Sequence, residues 1–176
     1  MTSSLVGSEM CIRDREDIFA LAESRNESPF IVVCDSLEDP HNLGAILRSA
    51  EAAGVHGVII PKRNSVTLNY TVAKTSAGAI EYVPVVKVAN LPAAIDELKS
   101  RGVWIFGADM DGTDYTALDY SGSIALVIGS EGKGIGRLVR EKCDFIASLP
   151  MRGKINSLNA SVAAGILMFE AAKHRN

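Results

Sequence analysis

The stretch "FIVVCDSLEDPHNLGAILRSAEAAG", residues 30–54, decides the fold. Its opening "FIVVCD" is a β-branched, apolar run with no polar alternation, bounded by turn residues, and reads as a strand buried on both faces. After a polar turn, "LGAILRSAEAAG" carries its apolar residues at helical spacing, and Gly54 stops it. A buried strand that turns at once into a helix is half of a β-α-β unit. The fold then depends on whether the pattern repeats.

It does repeat. "VHGVIIP" (55–61) reads as a second strand, "TLNYTVAKTSAG" (67–78) as a helix, and "YVPVVKV" (82–88) as a third strand at a sheet edge, because Pro84 cannot donate to a ladder. "NLPAAIDELKSRG" (90–102) is a well-marked helix, with Asn90 as N-cap, Pro92 in the first turn and Gly102 just past the end. "VWIFGAD" (103–109) and "IALVIGS" (124–130) are further buried strands, separated by an expected polar loop, "MDGTDYTALDYSGS". "GIGRLVREKC" (helix), "DFIASLP" (strand) and a last helix through "VAAGILMFEAAKH" complete the chain, and "EDIFALAES" (16–24) supplies a short helix before the first strand. The fold class is α/β, a mostly parallel sheet with helices on both faces, in one domain.

The bulk numbers agree. The 176 residues are 47% hydrophobic and 22% charged, enough for one buried core. No apolar run reaches the roughly 20 residues of a membrane-spanning helix, and no secretory signal opens the chain. Cys11, Cys34 and Cys143 are odd in number and far apart, which supports neither a disulfide framework nor a zinc site, so no metal is expected and a cytosolic, cytoplasmic setting is. Residues 1–15 show no periodicity, read as a tag, leader or artefact, and are set aside; the domain is taken as 16–176. The net charge of −3 excludes nucleic-acid binding by bulk charge, so any such surface must be local.

In sheets of this kind ligands bind beyond the carboxyl ends of the strands, which directs attention to "CDSLEDPHN", "GADMDG", "GSEGKGIG" and "LPMRGKINSLN". The glycine-rich "GSEGKGIG" (129–136) fails the dinucleotide fingerprint, since Arg137 stands where a third glycine belongs, and fails the phosphate-binding P-loop, since neither Ser nor Thr follows Lys133. Glu131 inside it would repel phosphate. A neutral or cationic ligand suits the loop, and so does a plain tight turn. Asp39 reads as a helix cap and His41 as a solvated loop histidine without a catalytic partner. Arg48 lies on a helix that should pack on the sheet, so its guanidinium must be paired or reach a ligand. Lys62, Arg63, Lys74, Lys133, Arg137, Arg140, Arg152 and Lys154 cluster around the loops as a phosphate-tracking surface or a solvated face. Before the last helix, Asn156, Ser157, Asn159 and Ser161 bring more polar groups than one cap needs.

Three segments in this order, "DPHNLGAILRSAEAAGVHGVIIPK", "ALVIGSEGKGIGRL" and "LPMRGKINSLNASVAAGILMFEA", resemble the SpoU (TrmH-like) family of RNA ribose 2′-O-methyltransferases in the SPOUT superfamily, over roughly residues 30–174. The resemblance implies a domain whose C-terminal segment forms a trefoil knot, binds S-adenosylmethionine there and pairs as a homodimer. It further implies methyl transfer to a ribose 2′-hydroxyl of structured RNA. The likeness is greatest to enzymes acting on a guanosine of large-subunit ribosomal RNA, with a transfer-RNA enzyme or a non-catalytic ribosome-assembly protein as alternatives. Carried over residue by residue, Gly107, Ala108, Gly129, Leu149, Met151 and Leu158 would cradle the cofactor. Asn42, Arg48, Glu131, Ser157 and Asn159 would face the transferring methyl group. A separate N-terminal RNA-binding domain, frequent in the family, is not seen in this sequence.

Overall fold

The computed structural model describes residues 13–63 and 68–175. Its framework is a six-stranded, wholly parallel sheet in the order β3-β2-β1-β5-β4-β6, formed by β1 (Phe30–Cys34), β2 (Gly57–Pro61), β3 (Val85–Val88), β4 (Trp104–Asp114), β5 (Ile124–Ile128) and β6 (Phe145–Ser148). β1 is buried at every residue, as its unbroken apolar run requires. Phe30, Val32 and Cys34 belong to one core and Ile31 and Val33 to the other, so the two-residue period of the strand feeds both faces.

The first core is covered by α2 (Pro40–Ala53) and α6 (Ala160–Ala172), which pack against each other, through Leu43, Ile46, Leu47, Leu167 and Met168. The second lies under α1 (Arg15–Ser24), α4 (Leu91–Ser100) and α5 (Arg137–Lys142), through Ile18, Leu91, Ile95, Leu98 and Val139. The helix ends obey their local chemistry. Asp39 accepts from His41 N–H and Pro40 opens α2, whereas Gly54 closes it at φ 82°. Asn90 caps α4 through Ala93 N–H at 3.0 Å.

Asp14 caps α1 and Arg13 N–H donates to the Val85 carbonyl on the outer edge of β3, while residues 1–12, with Cys11, lie outside the described residues. Three expectations change. The helix expected over 67–78 shrinks to α3 (Tyr70–Thr75), because Ala77 and Gly78 turn to φ 53° and 87°; Thr67 is outside the described residues. α5 covers only part of the expected span. The loop expected from Met110 is strand as far as Asp114, since Thr113 and Asp114 rejoin β6 after an irregularity at Ala108. Pro84 stands just before β3, which is an edge strand as expected.

The C-terminal path sets the functional end. Arg175 donates to the Gly122 and Ser28 carbonyls, beside the amino ends of β5 and β1, so α6 starts at the carboxyl end of the sheet. The segment 149–159 therefore leaves edge strand β6 and returns over the carboxyl ends of β4 and β5 to reach α6 beside α2.

Candidate functional site

Of the four segments singled out in the sequence, three follow β1, β5 and β6 and the fourth, 107–112, lies in the irregular carboxyl half of β4; these are neighbouring strands, so the segments meet at one end of the sheet. Two hydrogen bonds join them. The Asp35 carboxylate, just past β1, accepts from Gly136 N–H at 2.7 Å, which ties the first loop to the glycine loop 101 residues away. Ser148 Oγ donates to the Met110 carbonyl at 2.8 Å, which ties the end of β6 to the extended β4. Sequence reasoning passed over Asp35; its signal was a carboxylate directly after a fully buried strand.

The glycine loop is a closed tip. Ser130 and Gly134 exchange backbone hydrogen bonds at 3.2 and 2.9 Å, with Gly132 and Gly134 at φ 81° and 66°. Glu131 stands exposed on this tip. A Cβ on Gly129 would lie 2.2 Å from the Gly134 carbonyl carbon, so glycine is required there by the loop's own closure. Gly107 is similarly hemmed in by Cys143 Sγ at 2.8 Å and the Ile135 and Ile146 side chains, so it can offer a ligand backbone only. Ala108 and Leu149 are half-buried, and Met151 and Leu158 are exposed beside them in chain order.

Asn42, in the first turn of α2, is 4% exposed and its Nδ2 has no hydrogen-bond partner among the described residues. A buried amide donor without an acceptor is rare and costs of order 1–3 kcal/mol; the buried His56 Nε2 is the other buried side-chain atom left without a hydrogen bond among the described residues. Asn159 answers part of the polar excess: its Oδ1 accepts from Ser161 and Val162 N–H and from Ser161 Oγ, so this oxygen is the cap of α6 and only the amide is free to act elsewhere. Ser157 is exposed. Arg48 is exposed on α2 and has neither an ion pair nor a hydrogen bond among the described residues, so of its two expected fates pairing within the fold is not seen and the guanidinium is left available to a ligand.

The charges are sorted. Arg15, Lys99, Arg101, Arg140, Lys142 and Lys173 are each ion-paired with a carboxylate. Lys62, Arg63, Lys133, Arg137, Arg152 and Lys154, all following the carboxyl ends of strands, have no such partner among the described residues. Lys74 on α3, Arg25 after α1 and Lys87 in β3 are likewise without an ion pair among the described residues, so the loop end holds several, though not all, of the uncommitted cations. Burial pushes the thiols of Cys34 and Cys143 up to about 12 and about 11, which leaves neither poised as a thiolate nucleophile. Among the described residues no cluster of three or more His, Cys, Asp or Glu is placed to hold a metal.

A parallel α/β sheet whose glycine loop, unpartnered Asn42 amide and polar return segment lie at one end accords with the comparisons to known proteins. The chain is a member of the SpoU rRNA methylase family, whose profile matches residues 29–169. It is 56% identical over 162 residues to a protein of Bacillus subtilis (strain 168) named as a TrmH family tRNA/rRNA methyltransferase, covering 92% of this chain and 65% of that one. A Staphylococcus aureus (strain COL) protein of the same description is 58% identical over 147 residues, covering 83% of this chain and 59% of its own. The chain thus spans less than two thirds of the length of these relatives. Among solved structures, the SpoU methyltransferase AviRb from Streptomyces viridochromogenes in complex with AdoMet superposes with TM-score 0.78 at 30% identity, over 84% of this chain and 61% of that one. The TrmH/SpoU tRNA modifying enzyme of A. aeolicus gives 0.76 at 28%, over 90% and 82%.

S-adenosylmethionine is the methyl donor of this family. The residues present suit it: Met151 and Leu158 offer apolar surface to a flat heteroaromatic ring, Glu131 offers an anion to a sulfonium, and no phosphate clamp is needed.

Proposed function

We propose that the chain is the catalytic domain of an S-adenosylmethionine-dependent RNA methyltransferase that acts on a ribose 2′-hydroxyl, with a guanosine of large-subunit ribosomal RNA as target. The observation that carries this reading is the unpartnered Asn42 amide, buried at the loop end where the family motifs converge. S-adenosylmethionine supplies a methyl group already activated by positive sulfur. The protein's task is then alignment, worth roughly 7–11 kcal/mol for well-oriented reactants. Asn42 and Ser157 orient the ribose, and Glu131 holds or receives the hydroxyl proton, directly or through water. Arg48, whose guanidinium is too basic to accept a proton, clamps a target phosphate or ribose.

The homodimer has support of its own. α6 carries apolar residues on its outer as well as its buried side: Val162, Ile166 and Phe169 form an exposed stripe at spacings of four and three, with the exposed Leu158 just before the helix. Val162 and Phe169 are 51% and 50% exposed in the isolated chain. A second copy on this stripe would cover it and would bring segment 149–159 next to the interface. The return of that segment over β4 and β5 also accords with a threaded C-terminus. The free thiols and the absence, among the described residues, of a helix long and apolar enough to cross a membrane accord with a cytoplasmic setting.

Calorimetric titration with S-adenosylmethionine and S-adenosylhomocysteine, beside Leu158→Arg, tests the pocket; binding near one cofactor per chain by the parent alone is expected. Transfer of labelled methyl to ribosomal or transfer RNA, followed by nucleoside analysis, tests the product. 2′-O-methylguanosine in ribosomal RNA is the expected result. A base-methylated nucleoside would overturn the ribose assignment, and transfer RNA as sole acceptor would overturn the ribosomal one.

A further inference from the structure

A groove of about 580 Å³ lies at the other side of the sheet, along the outer edge of β3, and none of the catalytic or cofactor residues lines it. One wall is the chain entering α1, with Arg13, Asp14 and Arg15; the other is α4 from Asn90 to Glu97, and Lys62 stands at its mouth. Lys62 N–H donates to the Val88 carbonyl at 2.9 Å, so the mouth opens at the carboxyl ends of β2 and β3, on the same rim of the sheet as the catalytic loops. The far end is closed by the Arg15–Glu97 ion pair at 2.9 Å. The side chains of Arg13 and Lys62 are exposed and unpaired among the described residues.

We infer that this groove holds the sugar-phosphate backbone of the RNA substrate beyond the methylated nucleotide, with Arg13 and Lys62 contacting phosphates. The inference rests on the RNA methyltransferase reading above and extends it to the path of the substrate. Three observations carry it. The groove has a cationic lining in a chain whose net charge is −3, so the local field is opposite in sign to the whole. Arg13 and Lys62 are uncommitted, whereas Lys99, Lys142 and Lys173, at the far ends of α4, α5 and α6, are neutralised by carboxylates. It is also continuous with the catalytic rim: β3 is two strands from β1, about 10 Å at ordinary strand spacing, within reach of nucleotides flanking one held at Asn42. The groove offers no aromatic stacking platform, so its contacts carry affinity and direction rather than base sequence.

The test uses the 176-residue chain and the variants Arg13→Glu, Lys62→Glu and the double variant, with Lys173→Glu as a charge-matched control at the remote end of α6. Affinity for transcribed transfer RNA and a large-subunit ribosomal RNA fragment is measured against salt, beside methyl transfer and S-adenosylmethionine titration. Each groove variant is expected to reduce the slope of log affinity against log salt by about 1, alike for both RNAs, as loss of one phosphate contact does. KM for RNA rises, while kcat at saturating RNA and cofactor affinity stay at the parental values. Groove variants that match Lys173→Glu in slope and KM would overturn the inference and leave the enzymatic reading intact. Altered slopes in a chain that transfers no methyl would overturn the enzymatic reading and leave the groove. A parent chain that binds neither RNA would overturn both.

Discussion

The Asp35 carboxylate and the Gly136 amide meet at 2.7 Å although 101 residues separate them, and this bond joins the β1 loop to the glycine loop on which Glu131 stands. Asp35→Ala removes a charge-assisted acceptor from the exposed Gly136 amide. A stability loss of about 1.5–3 kcal/mol is expected, with a further loss of cofactor affinity as the tip loosens. Thermal unfolding together with cofactor titration checks both; unchanged affinity in a destabilised variant would confine Asp35 to folding.

Asn42 presents the opposite case. Its Nδ2 has no partner among the described residues, so Asn42→Ala gives up no bond made by that donor in the free protein. Folding stability should hardly change, while turnover falls on the order of 10²-fold through misplacement of the ribose. Chemical unfolding and single-turnover methyl transfer separate the two, and a large stability loss with normal turnover would make Asn42 structural.

Gly44→Ala reverses a general rule. Alanine in a helix interior ordinarily gains about 1 kcal/mol over glycine, but a Cβ here would lie 1.8 Å from Thr75 Oγ1 and 2.7 Å from Thr75 Cβ. The close approach of α2 to α3 forbids it, and a net loss of about 1–3 kcal/mol is expected from overpacking. The denaturation midpoint reads the sign directly; restoration by the pair Gly44→Ala with Thr75→Gly would locate the clash.

His56 makes stability depend on pH. It is fully buried, its Nδ1 accepts from Phe30 N–H at 2.9 Å, and burial lowers its pKa below the ordinary value near 6.5 despite Glu27 beside it. The unfolded chain therefore binds the proton more readily than the folded one. His56's contribution is present in full above about pH 6.5 and is lost as pH falls below that value. Unfolding at pH 7.5 and 5.5 should show it, and His56→Asn, which keeps an acceptor for Phe30, should flatten the difference. Equal slopes in parent and variant would assign the effect to carboxylates.

Ile166→Arg or Phe169→Glu on the outer side of α6 should convert a dimer to monomer in sedimentation with little loss of helix content. A parent that sediments as a monomer would remove the dimer from the proposal.

The sequence discloses its elements better than their neighbours. β1, β2 and β5 are apolar on both faces and so visible, and Gly54 and Asn90 mark helix limits by their own chemistry. "MDGTD" has no strand period; it is extended because β6, from 31 residues further on, pairs with it at Ala147 and Ser148. For Arg48 the sequence left two fates open, pairing or reach to a ligand, because helix spacing alone does not say whether an arginine among apolar neighbours is exposed. The four loops were legible from the rule that parallel sheets bind ligands at the carboxyl ends of their strands, but their adjacency was not, since strand order β1-β5-β4-β6 is written in no local stretch.

That strand order also governs when the site can exist. Asn42 belongs to the first quarter of the chain, Glu131 to the third, and the cap of α6 to the last twenty residues, which Arg175 then pins beside β1. During synthesis β1 therefore stands without its β5 neighbour until that later strand has emerged, and the return segment is added after both. Such non-local pairing makes folding slow and exposes the waiting strands to misassembly, at a cost in time rather than in final stability.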